Sequence, residues 1–192
     1  MKKVLLFLTA ITLSASSFAQ NWKIDPSHTK IHFNTKYLVI SDVEGEFKKF
    51  DGTFTSAKAD WSDLQVTVTA DVNSITTEND MRDKHLMSDD FFNAEKYPTI
   101  KFVSTGIKSL GNNKYALSGT LTIRDVTKNV EVPLVYGGTV KDPWGNVKAG
   151  FKATGTINRK DYGLKYANAA ATGEAVVSDN VDFTIDAVLI KQ

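Results

Sequence analysis

Apolar and polar residues alternate along much of this chain between Ile31 and Ile190. The clearest runs lie at residues 31–37, 64–70 and 181–187. Successive side chains on a β-strand point to opposite faces, so each run has one apolar face and one polar face. Strands of this kind form an antiparallel sheet whose apolar face must be buried. The pattern therefore predicts an antiparallel sheet with one wet face, and closure of that sheet would turn the apolar face into a container.

Turn residues divide the alternation into short segments. These lie at 30–40, 63–72, 97–103, 115–123, 130–136, 147–157 and 180–190, with shorter pieces at 44–47 and 52–55. Gly and Asn residues at 111–113 predict a hairpin turn, and residues 142–146 predict another. About eight strands at such short spacing are typical of a sandwich or a barrel.

One stretch breaks the β pattern and predicts a short helix. Thr77 is a suitable N-cap, and acidic residues follow it in the first turn. Residues 81–87 are then predicted to be helical, with a second short turn at 88–93. We expect this segment to pack its apolar side against the barrel, or to lie across one mouth, through Met81, Leu86, Phe91 and Phe92.

Residues 1–19 have the layout of a secretory signal peptide. Lys2 and Lys3 precede an apolar run at 4–13, and Ser17-Phe18-Ala19 is a small-x-small cleavage site. The apolar run is shorter than the roughly 20 residues that span a bilayer. We therefore expect cleavage near Ala19 and Gln20, a mature barrel domain at 20–192, and a periplasmic or secreted location.

Composition excludes several kinds of chemistry. The 192 residues include 23 basic and 22 acidic side chains, for a net charge of +1, so no basic character points to nucleic acid. The chain contains no cysteine, which excludes disulfides, thiol catalysis and zinc-thiolate sites. The mature domain is long enough to bury a sizeable core without covalent cross-links.

The inward positions of the predicted strands are almost entirely apolar. An eight-stranded barrel can be filled by its own side chains or can hold one ligand, and the residues alone leave both open. Gly119 and Gly155 share the inward parity and mark either a bend or cavity space. The predicted apolar face consists of Ile31, Phe33, Tyr37, Val66, Val68, Phe102, Leu117, Leu121, Val132, Leu134, Phe151, Phe183 and Ile185.

The three histidines do not form an obvious chemical site. His28 and His32 lie on a turn and a strand, and His32 points away from the apolar face, so we expect no metal and no cofactor. Asp25, Ser27 and His28 contain the residue types of a catalytic triad. Because neighbours in sequence rarely converge in that geometry, we predict no catalytic residue.

Arg82 and His85 are the candidates for contact with a polar ligand group. They lie one turn apart on the predicted helix and share a face. Arg82 could offer a bidentate fork to a phosphate or another anionic head group at the barrel mouth. The alternative is structural, with Arg82 and Asp83 pairing with loop residues such as Arg159 or Asp161 and fastening the helix.

Several segments together resemble the YceI-like family of polyisoprenoid-binding periplasmic proteins. They are residues 22–29, 45–47, 82–86, 91–98, 121–128 and 159–164, and the run at 82–98 is the most specific. The resemblance implies a lipocalin-like antiparallel barrel of about eight strands, with one short helical segment and an elongated apolar cavity. It also implies long isoprenoid chains or other amphiphilic lipids as ligands. Tyr37 and Asp125 stand where the family often has His and Gly.

We therefore expect a non-enzymatic periplasmic carrier that holds a long-chain isoprenoid lipid in its cavity. Alternative ligands are a quinone or a fatty acid or amide, and alternative classes are a lipid-acting barrel enzyme and a filled structural barrel. An enzyme would need an acid or base with a perturbed pKa inside the cavity, where the strands place almost none. Because the lipid would start in a bilayer, we expect transient membrane contact. The sequence leaves the tail length, head group and oligomeric state open.

Overall fold

The computed structural model describes residues 19–171, 173 and 175–192, which form mostly β-strands. One α-helix, α1 (Asp80–Met87), lies within this described part of the chain, together with two short 3-10 helices at Val72–Ser74 and Arg159–Tyr162. The strands are β1 (Gln20–Ile24), β2 (Lys30–Tyr37), β3 (Ser41–Phe47), β4 (Phe50–Ser56), β5 (Gln65–Asp71), β6 (Ile75–Thr76), β7 (Thr99–Gly111), β8 (Lys114–Ile123), β9 (Val126–Lys141), β10 (Val147–Asn158) and β11 (Val177–Lys191).

Eight of these strands form a closed antiparallel ring. Its order is β1-β4-β5-β7-β8-β9-β10-β11, and β11 returns to β1. The other strands, β2, β3 and β6, extend the wall beside the opposite half of β11, whose residues from Val177 to Asp186 pair with β2. Pro26 separates β1 from β2 because it lacks the N–H that a continuous ladder needs. The predicted eight-stranded barrel with one short helix is confirmed.

Two predicted element boundaries are wrong for local reasons. The strand predicted at 30–40 ends at Tyr37, because Leu38 and Val39 adopt φ angles of 49° and 65° and turn the chain into β3. The N-cap of α1 is Asn79 rather than Thr77, and the Asn79 side chain accepts a hydrogen bond from the backbone N–H of Arg82. Met81 was expected to pack on the barrel, but its side chain is exposed on α1.

One end of the barrel, here called the closed end, is plugged by aromatic side chains. The ring of Trp61 lies 5.0 Å from that of Trp22 and 4.9 Å from that of Phe151, between centroids. The hydroxyl of Tyr115 donates a 2.6 Å hydrogen bond to the carbonyl oxygen of Asp60 and so fastens the loop that carries Trp61. The closed end is therefore well packed.

The opposite end, here called the mouth, is covered by α1, residues 88–98 and the segment that follows β10. Phe91, Tyr162 and Leu164 are buried together there. The backbone N–H groups of Lys165 and Tyr166 both donate 3.0 Å hydrogen bonds to the carbonyl of Asp90, which joins the two covering segments. Within the described chain, no helix is both long enough and apolar enough to cross a membrane.

Candidate functional site: an apolar cavity in the barrel

The barrel encloses an apolar cavity of about 310 Å³. It extends from Phe54 and Leu64, near the closed end, to Arg159 and Val177 at the mouth. A single water in the liquid has a share of only ~30 Å³. The barrel is therefore not filled by its own side chains, which decides between the two arrangements that the sequence left open.

All but one of the residues predicted for the apolar face line this cavity. Alternation along each strand is enough to place them, because every second side chain points inward. Their contact with a ligand stays a prediction. The lining members are Ile31, Phe33, Val66, Val68, Phe102, Leu117, Leu121, Val132, Leu134, Phe151, Phe183 and Ile185.

Tyr37 is the exception, and its predicted position in the cavity is wrong. It keeps the parity of Ile31 and Phe33, but it is the last residue of β2 and its side chain is 42% exposed. β2 has reached the rim of the barrel by this point, so the inward face no longer borders the cavity. Parity gives the face of a strand but not the height at which the barrel ends.

Further lining residues were available from the same alternation. Ile100 shares the parity of Phe102, and Ile123 shares that of Leu121; both line the cavity. Leu86, Phe91 and Phe92 line it from the mouth, as expected of a segment that lies across the barrel end.

A buried arginine stands at the mouth of the cavity, and the sequence reasoning did not identify it as a site residue. Arg159 is only 3% exposed and is one of the lining residues. It donates to the carbonyl oxygens of Ser178 (2.9 Å), Leu164 (3.0 Å) and Val177 (3.3 Å), and to Oδ1 of Asp179 (3.1 Å). Burial lowers the pKa of Arg159, and the Asp179 carboxylate opposes that effect. Alternation cannot predict a charged residue at an inward position.

A second arginine ties the turn between β8 and β9 to both covering segments. Arg124 Nη1 donates to the carbonyl oxygens of Asp89 (3.0 Å), Phe91 (3.0 Å) and Gly163 (2.9 Å). Its Nη2 lies 2.7 Å from Oδ1 of Asp89. One guanidinium therefore holds three chain segments together above the cavity.

The two candidate head-group residues lie in the mouth but do not line the cavity. Arg82 donates from Nε to Oγ1 of Thr77 and from Nη2 to the carbonyl of Thr77, at 2.7 Å each. Thr77 also donates to Oδ1 of Asp83, from its N–H at 2.8 Å and its hydroxyl at 2.5 Å. His85 Nε2 lies 2.9 Å from Oδ2 of Asp90. These contacts fasten α1 in place, and a head-group role for Arg82 and His85 stays a prediction.

The alternative partners named for Arg82 and Asp83 are wrong. The carboxylate of Asp161 pairs with Lys128 at 3.2 Å, and Arg159 binds the start of β11. The helix is fastened through Thr77 instead, which lies three residues before the start of α1 and which the sequence had predicted to be its N-cap.

Asp25, Ser27 and His28 converge outside the cavity, contrary to expectation, but not as a triad. Nδ1 of His28 lies 3.1 Å from Oγ of Ser27 and 2.9 Å from Oδ2 of Asp25. A triad needs one ring nitrogen for the hydroxyl and the other for the carboxylate, whereas here a single nitrogen faces both. For residues 19–171, 173 and 175–192, no cluster of three or more potential metal ligands is found.

Asp25 is instead the centre of a buried polar network. Its carboxylate accepts hydrogen bonds from Ser27 Oγ (2.5 Å) and Lys148 Nζ (2.9 Å). Burial alone would raise the pKa of Asp25, but the hydrogen bonds from Ser27, Lys148 and His28 outweigh it and hold the pKa well below its usual range. The network links the turn before β2 to the start of β10.

A closed ring of eight antiparallel strands around an apolar cavity defines a lipocalin-like barrel. The chain belongs to the YceI-like family, since the model of the YceI-like domain matches residues 22–189. A UPF0312 protein of Photorhabdus laumondii is 45% identical over 170 residues, which cover 86% of this chain and 88% of that protein. A UPF0312 protein of Pseudomonas putida strain W619 is 36% identical over 186 residues, covering 96% and 93%.

Solved structures share the architecture. BcnA of Burkholderia cenocepacia is 25% identical with a TM-score of 0.75, covering 86% of this chain and 98% of that one. The YCEI protein of Campylobacter jejuni is 33% identical with a TM-score of 0.71, covering 82% and 90%. A polyisoprenoid binding domain from Saccharophagus degradans has a TM-score of 0.66 over 89% and 98% of the two chains. Its 16% identity makes that similarity one of fold alone.

Proposed function

We propose that this chain is a binding or carrier protein that holds a long-chain isoprenoid lipid in its barrel cavity. The observation that carries the proposal is the unfilled apolar cavity, which reaches from the aromatic plug at the closed end to the mouth. Further support comes from the shared fold of the Saccharophagus domain, which is described as polyisoprenoid binding.

The energetics of such a cavity suit a carrier. A lipid tail that starts in a bilayer is already out of water, so its transfer into an apolar lining is close to neutral in hydrophobic terms. Loading and unloading then need no steep uphill step. Selection among lipids must come from the length and shape of the cavity and from any contact with the head group.

Binding is better supported than catalysis on the same lipid. The titratable residues among the lining positions are His32, Glu131 and Arg159. His32 and Glu131 alternate with inward residues on their strands, so their side chains have outward parity. The Arg159 guanidinium is occupied by protein acceptors. A general acid or base inside the cavity is therefore not provided by these residues.

Equilibrium binding of geranylgeraniol to the purified protein tests this function. Val132→Phe adds a ring to the cavity lining and should abolish binding, whereas Val135→Phe on the exposed face of the same strand should leave it unchanged. Tighter binding of a fatty acid or a quinone than of the prenyl alcohol would favour those ligands instead. Equal binding by both variants would place the ligand outside the barrel.

We also propose that the chain is exported and acts in the periplasm. Residues 1–18 of the predicted leader lie outside the described residues, so the proposal rests on the sequence layout at 1–19. The mass of the protein recovered from a periplasmic fraction should correspond to a chain that begins at Gln20. A full-length protein in the cytoplasmic fraction would contradict export.

Transient membrane contact would use the hairpin tip between β2 and β3, which lies beside the mouth. The side chains of Val39 and Ile40 are 67% and 84% exposed. The backbone N–H of Leu38 donates to the carbonyl of Val176, next to Val177 in the cavity lining. An apolar tip beside the opening could enter the bilayer interface while a lipid is exchanged.

A further inference from the structure

Two phenylalanines and two glycines form one row across the inner wall of the barrel. Gly155 on β10 pairs with Phe183 on β11, Phe183 pairs with Phe33 on β2, and Phe33 pairs with Gly45 on β3. The four residues, here called the Gly-Phe row, are therefore direct neighbours on four adjacent strands. Both phenylalanines line the cavity.

The ring of Phe183 lies over Gly155, and the ring of Phe33 lies over Gly45. A Cβ placed on Gly155 would lie 2.5 Å from Cζ and 2.7 Å from Cε1 of Phe183, closer than real Cβ atoms approach. A Cβ on Gly45 would likewise collide with the Phe33 ring. The two rings thus occupy the space that a side chain on each glycine would take, and they lean apart, against the wall.

This arrangement determines how much of the cavity stays open. The glycines have no side chain, so the rings can lie against the wall instead of projecting into the lumen. Gly119 on the other side of the barrel repeats the device, since a Cβ there would lie 2.5 Å from Cζ of Phe102. Gly155 lines the cavity, and Gly119 pairs with Ser104 at a bulge in β7, so both interpretations of these glycines have support. In addition, each glycine receives a ring from a neighbouring position.

We infer that the Gly-Phe row sets the width of the cavity and selects for methyl-branched chains over straight ones. The inference rests on the proposed lipid-binding function. A prenyl chain carries methyl branches at regular intervals and needs a wider passage than an unbranched alkyl chain. Rings held against glycine provide that width at the level of Phe33 and Phe183.

Gly155→Ala tests the inference at the glycine whose added methyl group would first meet one neighbouring side chain, that of Phe183. The nearest atoms to the new methyl group all belong to the Phe183 ring, so the ring must move, and the cavity is the open space beside it. Binding of two alcohols is measured: geranylgeraniol and hexadecanol, which has the same main-chain length without branches. The variant should weaken geranylgeraniol binding by about tenfold or more and hexadecanol binding by much less.

Gly150→Ala is the matched control on the same strand. A Cβ at Gly150 has no atom within 4 Å, so both alcohols should bind as they do to the unmodified protein. Phe183→Leu in the Gly155→Ala background should restore geranylgeraniol binding. Phe183→Leu alone covers the case in which Gly155→Ala does not fold, and it should shift the preference further towards the branched alcohol.

The outcomes separate this inference from the function beneath it. If the unmodified protein binds neither alcohol, the proposed lipid-binding function fails. If it binds them but Gly155→Ala and Gly150→Ala behave alike, the Gly-Phe row does not select between branched and straight lipid chains. The same conclusion follows if Phe183→Leu leaves the ratio of the two affinities unchanged.

Discussion

The arginines at the mouth show how single residues close this barrel. Arg124 and Arg159 are nearly buried, and most of their hydrogen bonds go to backbone carbonyls. A planar guanidinium with five donors can serve several segments at once, which a lysine ammonium cannot do with the same geometry. These side chains therefore hold irregular segments that have few strand partners of their own.

Arg82 also fastens a covering segment, although it is exposed and both of its side-chain hydrogen bonds go to Thr77, and this leads to a prediction. Arg82→Ala removes both hydrogen bonds to Thr77 and should lower the free energy of unfolding by about 1–3 kcal/mol. Binding of geranylgeraniol and of its phosphate ester should then weaken equally. The exposed Lys84, changed to Ala, is the control on the same helix. A selective loss of the phosphorylated lipid without a change in stability would assign Arg82 to the head group.

The lowered pKa of Asp25 leads to a prediction of how the stability of the fold depends on pH. Its pKa in the folded protein lies below the unfolded value of about 3.9, so its stabilisation is present above that value and is lost as the pH falls below it. Asp25→Asn should reduce the free energy of unfolding by about 1–3 kcal/mol at neutral pH, measured by urea denaturation. The difference from the unmodified protein should shrink towards about pH 3. A difference that is independent of pH would show that the charge of Asp25 is irrelevant.

Alternation predicted the cavity residues well but could not predict the polar ones. The inward set from Ile31 to Ile185 lines the cavity because parity is a property of each strand alone. The predicted position of Tyr37 in the cavity was wrong because the height of the rim depends on where the neighbouring strands end. Arg159 was missed because its burial depends on acceptors supplied by Leu164 and Asp179, which no local pattern reveals.

At the scale of elements, the barrel combines regular strands with an irregular cover. β7 to β11 are long and pair in sequence, whereas the segments at 77–98 and 163–171 are held by side chains and isolated backbone contacts. The positions of the regular strands could therefore be predicted from the alternation of apolar and polar residues and from the turn residues between them. The start of α1 was not, because Thr77 and Asn79 are both acceptable caps and the choice depends on the tertiary contacts of Arg82 and Asp83.

Arg159→Lys tests how the cover is held. The substitution keeps the charge but loses the planar fork that reaches Leu164, Val177 and Ser178. Amide hydrogen exchange at Leu164 and Val177 should become faster, and bound lipid should dissociate faster. Lys160→Ala, which removes only an exposed ion pair with Asp179, should change little. Unchanged exchange in Arg159→Lys would show that the cover does not depend on this side chain.

At the scale of the whole molecule, the two ends of the barrel differ. The closed end is packed around Trp22, Trp61 and Phe151, while the mouth is covered by segments that single side chains and isolated backbone hydrogen bonds hold in place. A lipid would therefore enter and leave by the mouth, next to the exposed hairpin tip. The sequence predicted the barrel. It did not predict which end is tightly packed, because that difference depends on long-range contacts.

The hairpin tip gives a prediction for lipid exchange. The double change of Val39 and Ile40 to Ser should slow extraction of geranylgeraniol from phospholipid vesicles several-fold, because the apolar tip no longer enters the interface. Equilibrium affinity for the free alcohol should stay the same. Leu110→Ser, an exposed apolar position on the turn side of β7 at the opposite end, is the control. Equal extraction rates for all three proteins would exclude this surface.

The lipid that the protein carries in its own cells is the most direct test of its function. The chain would be purified without detergent, weighed intact by native mass spectrometry, and its ligand extracted and fragmented. We predict one isoprenoid lipid for each folded chain, and loss of that lipid in Val132→Phe but not in Val135→Phe. An empty chain, or one that carries only straight-chain fatty acids, would contradict an isoprenoid carrier.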